Sequence, residues 1–428
     1  MTLKSRIGLI ACGIVIFLVL APVIILLARG FSYDFANGRI VKTGALSVKT
    51  DPRGAVVFLD NEPSKTTPMV KRFLFPKEYQ VEIQKQPYLP WKKRVNIHEQ
   101  QVVYLPLQGN KISLFLEHPQ TSVISTSTLD IFNQGKKVFY IERTRIFQID
   151  SSGSGKKLAA TLPPLLKSPQ ILSTRATSNG NFEFLIKDQG KNWYLNGEAS
   201  IEIPVDLKSI SFGPQPSTIL AINKQNQIIE LTPGENELSL RENAAVFAVK
   251  NNSIYYLTRE NHPRLLQITN DSDLVLAKDL PVADKNQIVA ASNKQMFLLL
   301  GENLYQVNDT LEKINSQVKF AFWSEEANGL IYGNDNEIWL YRPLEREHNV
   351  LLTRSSLPLK QPWFNKESGY LFVMEGRQIK AIETDFSGQS NIYTVAETKS
   401  DDTKMMVDST GAFVIYKDGP NLTRLKIR

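Results

Sequence analysis

Apolar and polar positions follow two rhythms along the chain, after an opening stretch that has none. Residues 7–28, IGLIACGIVIFLVLAPVIILLA, are 22 consecutive positions without a charged side chain. At 1.5 Å per residue a helix of that length covers a hydrocarbon core of about 30 Å. The stretch predicts a transmembrane helix, and Pro22 is compatible with it because neighbouring groups in a membrane helix can satisfy the freed carbonyl. A cleavable signal peptide has a shorter apolar core, about 7–15 residues, and ends in a small-x-small site; neither feature is present. Only six residues precede the span and everything that can fold follows it. The reading is therefore a single-pass plasma-membrane anchor with the C-terminal body extracytoplasmic. Basic residues flank both ends, Lys4 and Arg6 before and Arg29, Arg39 and Lys42 after, so the positive-inside count does not choose an orientation. A cytoplasmic body is the alternative.

Beyond a polar linker at residues 30–42, alternation of period two begins. It marks short strands at 45–49, 55–60, 79–83, 95–97 and 102–107, the pattern of a small β-sandwich over residues 43–108. From residue 111 to 428 the pattern changes to pairs of apolar runs that recur every 35–45 residues. Taking the second run of each unit as marker gives 138–141, 182–186, 219–222, 254–257, 296–300, 330–332, 370–373 and 413–416. A fixed period of this size with four strands per unit points to a β-propeller. The unit at 318–353 shows it most clearly: four apolar runs separated by Gly- and Asn-containing turns. Small polar pairs precede the marker strand at Asn179-Gly180, Asn328-Gly329, Ser368-Gly369 and Thr410-Gly411, where glycine is expected to supply the positive φ of a tight hairpin.

The fold class expected is all-β after one N-terminal transmembrane helix: a small sandwich followed by a propeller of about eight blades. Seven is the alternative, if the units at 219 and 254 merge. The last unit, from Lys404, supplies only three strands, and residues 111–117, KISLFLE, form an orphan strand. Pairing an N-terminal strand into the last blade would use both pieces and hide two sheet edges.

The sandwich segment resembles a PEGA domain. The residues that carry the resemblance are Asp51-Pro52-Arg53-Gly54-Ala55 followed by VVFLD, then Thr67-Pro68, Pro76-Lys77-Glu78-Tyr79 and Tyr88-Leu89-Pro90-Trp91. Lys65, Lys77 and Pro87 stand where that family usually has glycine. The resemblance implies a small extracytoplasmic β-domain of cell-envelope proteins that takes part in binding or packing, with no enzyme activity. The units at 322–353 and 362–395 resemble TolB-type and WD-like propeller repeats through Trp323-Ser324, Gly329 and Ile338-Trp339-Leu340-Tyr341, and through Trp363, Gly369 and residues 379–382. Such repeats imply an interaction platform more often than an enzyme.

The net charge of +7 is localised. Residues 39–110 hold 12 Lys/Arg against 6 Asp/Glu, whereas residues 111–428 are balanced at 35 against 36. The clusters Lys71-Arg72 and Lys92-Lys93-Arg94 are the candidate contacts for anionic lipid or wall polymer. Trp91 and Tyr88 are read as core and not as a stacking platform. The one cysteine, Cys12, falls within the apolar stretch, so the body has no disulfide.

No catalytic constellation is evident. His98, His118, His262 and His348 lack metal-ligand spacing, and no cofactor or metal is expected. The run Gly153-Ser154-Gly155-Lys156-Lys157 lacks the first glycine and the Ser/Thr of a phosphate loop, and reads as a turn between strands. Asp335 and Glu337 could pair as acid and base, but a propeller exposes many carboxylates. Nucleic acid is not an expected partner, since aromatic and basic residues do not interleave as in a binding platform.

These features support a non-enzymatic cell-surface binding or scaffold protein, its partner a protein or an envelope polysaccharide. A propeller enzyme acting on wall glycan or peptide, as hydrolase or lyase, is the alternative, as is an accessory subunit of an envelope or secretion complex.

Overall fold

The computed structural model describes residues 3–428 except 36, 107–110, 135–136, 198, 204–205, 234–236, 270–271, 293–294, 309, 344, 346–348, 386–389 and 402; side chains at 3–11 and 291–292 are also outside the description. Helix α1 (Leu3–Ala28) is 26 residues long and contains Pro22. Its described side chains begin at Cys12, and among the described residues no helix is long and apolar enough to cross a membrane. The segment expected to be a linker is instead an antiparallel hairpin of β1 (Phe31–Asp34) and β2 (Arg39–Lys42).

The sandwich follows. Its strands are β3 (Gly44–Val48), β4 (Thr50–Asp51), β5 (Val56–Leu59), β6 (Glu62–Thr66), β7 (Met69–Leu74), β8 (Glu78–Lys85), β9 (Tyr88–Asn96) and β10 (Val102–Leu105). One sheet runs β10-β3-β7 and the other β6-β5-β8-β9. Between them Leu46, Val48, Val57, Val81, Ile83 and Trp91 are completely buried. Strands β6 and β7 carry no alternation that a sequence reading could use: β6 is exposed or half-exposed throughout, and the middle four positions of β7 face water. Both lie at sheet edges, where a strand needs only backbone pairing and few apolar anchors.

Two short strands continue the chain, β11 (Ile112–Ser113) and β12 (Gln120–Ser125). Eight four-stranded antiparallel sheets then form the propeller: blades 1 to 7 span 128–161, 170–203, 207–241, 244–277, 286–315, 320–354 and 359–397, and blade 8 spans 404–426 with β12 added. Every marker run falls in the second strand of its blade. That strand lies inside the sheet with both faces packed, so it reads as a continuous apolar run and not as an alternation. The units at 219 and 254 are separate sheets, so the count among the described residues is eight.

Each junction between neighbouring blades holds its own apolar cluster, including the last to the first, where Met406, Ile415 and Leu422 pack with Ile131, Val138 and Tyr140. The ring is therefore closed. Closure is made by β12 pairing with Asn421–Lys426, so residues 111–117 are not the closing strand.

Outer strands add a feature the sequence reading lacked. In seven blades the fourth strand changes register by one residue, at Ile124, Ala159, Leu240, Leu276, Ile314, Leu352 and Val395. All seven side chains belong to the clusters between blades. A bulge opposes two residues to one and so re-aims a side chain; here it turns an extra apolar group towards the neighbouring sheet.

The hairpin turns before the marker strands are of two kinds. Gly180, Gly369 and Gly411 have positive φ as expected. At the fourth, Asn328 takes the positive φ of 46°. Gly329 is needed for space, because a Cβ there would lie 2.8 Å from Leu340 Cδ1 and 2.9 Å from the Tyr341 carbonyl oxygen.

Candidate functional site

The strongest concentration of specific geometry is the seam between sandwich and propeller. Residues 112–117 run through it as a zipper. Ile112 and Leu114 donate backbone N–H groups to the carbonyls of Lys49 and Asp51, at 2.8 and 3.0 Å; Phe115 accepts from Leu89, and Leu116 donates to Ile427, both at 2.8 Å. Side chains alternate along with the hydrogen bonds. Leu114 is part of the sandwich core, while the next residue, Phe115, enters the cluster of blades 7 and 8 and packs edge-on against Tyr370 at a centroid distance of 4.8 Å. Two cores are thus joined by one extended strand with both faces buried.

Strand β9 forms the other wall. Its period of two places Trp91, Lys93 and Val95 inward and Lys92 and Arg94 outward. Lys93 is therefore not a surface contact, which corrects the expectation for that residue. Its side chain is wholly buried, 3.5 Å from Glu383 and 3.3 Å from Asp385, themselves 5 % and 6 % exposed. The ammonium also donates to the Asp385 carbonyl at 2.8 Å. The Trp91 indole N–H donates to Glu383 at 3.2 Å, and the Asn391 side-chain amide donates to the other Glu383 oxygen at 2.7 Å. Asn391 completes the lock by donating to the backbone carbonyl of Lys92 at 3.1 Å. A buried charge is tolerated only when paired and hydrogen-bonded, and this site provides both.

Burial, then the charge of Glu383, push the hydroxyl of nearby Tyr393 above the ordinary phenol range, and that hydroxyl donates to the Pro90 carbonyl at 3.2 Å. On the far side Arg428 pairs with Asp51 at 2.6 Å. The inward position of Lys93 could have been read from the sequence, since it shares parity with Trp91 and Val95. Its acidic partners could not, lying 290 residues away.

The remaining candidates are dispersed. Lys71, Arg72, Lys92 and Arg94 are exposed. Lys92 pairs with Glu82 at 3.1 Å and Arg94 stands 3.7 Å from Glu78. Asp335 pairs with Lys319, and Glu337 with Arg354, so neither acts as a partner of the other. His262 stands beside Asp279 at the surface; His348 lies outside the described residues. Among the described residues no group of His, Cys, Asp or Glu could hold a metal ion. The turn at 153–157 connects two strands of blade 1, and Lys156 covers the Phe147 ring at 4.1 Å.

A cleft of about 340 Å³ opens between blades 5 and 6, lined by Asn315, Ser316, Tyr332, Asn334, Glu337, Trp339 and other residues. Tyr332 and Trp339 lie nearly parallel with centroids 6.4 Å apart. The Tyr332 hydroxyl donates to Asn349 at 2.7 Å and accepts from Asn315 at 3.0 Å; the Trp339 indole donates to Glu337 at 3.0 Å.

No curated protein matches the sequence. The chain is similar in structure to the C-terminal WD40 domain of Sif2, with 12 % identity, a TM-score of 0.49 and coverage of 72 % of this chain and 98 % of that one. It is similar also to Saccharomyces cerevisiae Sqt1, at 13 % identity and a TM-score of 0.46 over the same shares. Similarity to a prolyl endopeptidase, at 10 % identity and a TM-score of 0.45, covers 70 % of this chain and 54 % of that one. In sequence, residues 43–110 match the PEGA domain family.

Proposed function

We propose that the chain is a non-enzymatic scaffold, anchored in the plasma membrane through residues 7–28, that presents an eight-bladed propeller outside the cell to a protein or envelope-glycan partner. The observation that supports this best is the seam. A domain meant to swing on a tether needs no Lys93 locked between Glu383 and Asp385 and no strand shared by two cores. A stalk that must hold a disc at one attitude does. The loops of the disc away from the seam are then available to receive a partner.

Protease treatment of intact cells, following a C-terminal tag, tests the reading. Loss of the tag with retention of the anchor is expected. Protection until the membrane is opened would refute the exported body. The cleft between blades 5 and 6 favours a glycan over a protein, because the half-buried Trp339 ring beside amide side chains and the Glu337 carboxylate suits a sugar ring and its hydroxyls. Retention on purified wall polysaccharide should then fall at least about tenfold in Trp339→Ala, the loss of roughly 1.4 kcal/mol.

A further inference from the structure

The β1–β2 hairpin offers a second contact with the membrane. Its register pairs Phe31 with Lys42 and Tyr33 with Ile40. Directly opposed residues project to the same side of an antiparallel pair, so Phe31, Tyr33 and Ile40 share one face, and Ser32, Asp34, Arg39 and Val41 the other. The apolar face is turned to solvent: Tyr33 is 48 % exposed, Ile40 55 %, and Phe35, edge-on to Tyr33 at 4.9 Å, 89 %. An isolated two-stranded hairpin is marginally stable in water, and aromatic groups held this far out are a recurrent sign of a contact surface.

This hairpin is held in place at its base. The carbonyl of Gly30, just past the end of α1, accepts both the N–H and the hydroxyl of Thr43, at 2.8 and 2.6 Å. Gln100 in turn donates to the Thr43 carbonyl at 3.0 Å. Helix end, hairpin and sandwich therefore meet at one clasp. Around it stand Arg29, Arg39 and Lys42, all exposed, while the Asp34 carboxylate accepts from the turn residue Asn37. At the same end of the sandwich Gly44 pairs with Leu74, which brings up Phe73, 49 % exposed, and the exposed Arg72.

We propose that this hairpin is an interfacial foot: Phe31, Tyr33, Phe35 and Ile40 lie at the boundary between lipid headgroups and acyl chains, and Arg29, Arg39 and Lys42 meet the phosphates of anionic lipid. Aromatic rings and basic side chains favour that depth. The inference rests on the reading of residues 7–28 as an anchor. A helix alone lets the body turn about its axis; a helix and a foot fix its attitude, and the seam passes that constraint to the propeller.

The test uses the full chain in vesicles of phosphatidylcholine with one quarter phosphatidylglycerol. An environment-sensitive fluorophore is placed on Cys12 and, in a Cys12→Ser background, on Asn37→Cys. The label at 37 should be quenched by brominated acyl chains and should show several-fold weaker iodide quenching than the same label on Asn179→Cys in blade 2. Adding Phe35→Ser and Ile40→Ser should return it to the aqueous value. A label at 37 as open to iodide as that at 179, with Cys12 shielded by lipid, overturns the foot and leaves the anchor. An iodide-accessible Cys12 overturns both.

Discussion

Replacing Lys93 by methionine isolates the seam. The substitution keeps most of the stem volume and removes the charge that separates Glu383 from Asp385, together with its hydrogen bond to the Asp385 carbonyl. At separations of 3.5 and 3.3 Å, each attraction is about 5 kcal/mol at an effective dielectric near 20. Desolvation of three buried ions offsets most of that sum, several kcal/mol per ion. What the variant suffers is the orphaned pair: two carboxylates facing each other away from water, with Trp91 and Asn391 still donating to only one of them. Breaking a buried pair in this way costs about 3–5 kcal/mol. Native-state hydrogen exchange reads it locally. The amides of Leu89, Trp91, Lys92 and Asn391 should open about a hundred- to several-thousandfold more often in Lys93→Met, at about 1.4 kcal/mol per factor of ten. Blade 3, four blades round the ring from blade 7, should be unaffected. The triple variant Lys93→Met, Glu383→Gln, Asp385→Asn should recover most of the loss, since neutral amides of the same shape carry no repulsion. Lys92→Ser, whose exposed ammonium gains at most about 1 kcal/mol from the partly buried Glu82, should match the parent. Seam amides in Lys93→Met that exchange within threefold of the parent would refute the reasoning, as would a triple variant no better than the single.

Phe115→Ala removes the ring that enters the propeller from the linking strand, and the buried position predicts a loss of about 3–5 kcal/mol, visible as a lower urea midpoint with an unchanged slope. Gly333→Ala should destabilise blade 6 by about 1–3 kcal/mol, because a Cβ there would stand 2.0 Å from the Glu337 carbonyl oxygen; a thermal melt equal to the parent's would contradict it. Asp273 is subject to burial, which raises its pKa, but hydrogen bonds from Arg241 and Tyr256 outweigh burial and hold it below its ordinary value of 3.8. With the folded value depressed, its contribution is full above about pH 4 and is lost as pH falls through the folded value. Asp273→Asn should therefore lower stability at neutral pH by about 1–2 kcal/mol and flatten the urea midpoint against pH in that acid range.

What could be read in advance was whatever depends on local periodicity. The second strand of every blade is packed on both faces, so eight continuous apolar runs announced eight sheets. Trp91 was legible as core for the same reason, as was the alternation of the central sandwich strands. Edge strands β6 and β7 escaped because one-sided pairing asks little of their side chains, and the hairpin at 31–42 escaped because its apolar face is turned away from any core.

Other features depend on contacts between distant parts of the chain. The strand 111–117 has the composition of a closing strand, yet the pairing partner decides its role: it bonds to Lys49 and Asp51, while β12 pairs with Asn421–Lys426. Lys93 sits in a run of three basic residues that suggests a charged surface. Strand parity turned it inward, and only the docking of blade 7 supplied Glu383 and Asp385. Sequence alone determined the propeller repeat and the second strand of each blade, because burial on a repeated sheet imposes a repeated pattern. The tertiary structure alone decided which domain is fastened to which, because a buried ion pair between residues 290 positions apart leaves no period to read.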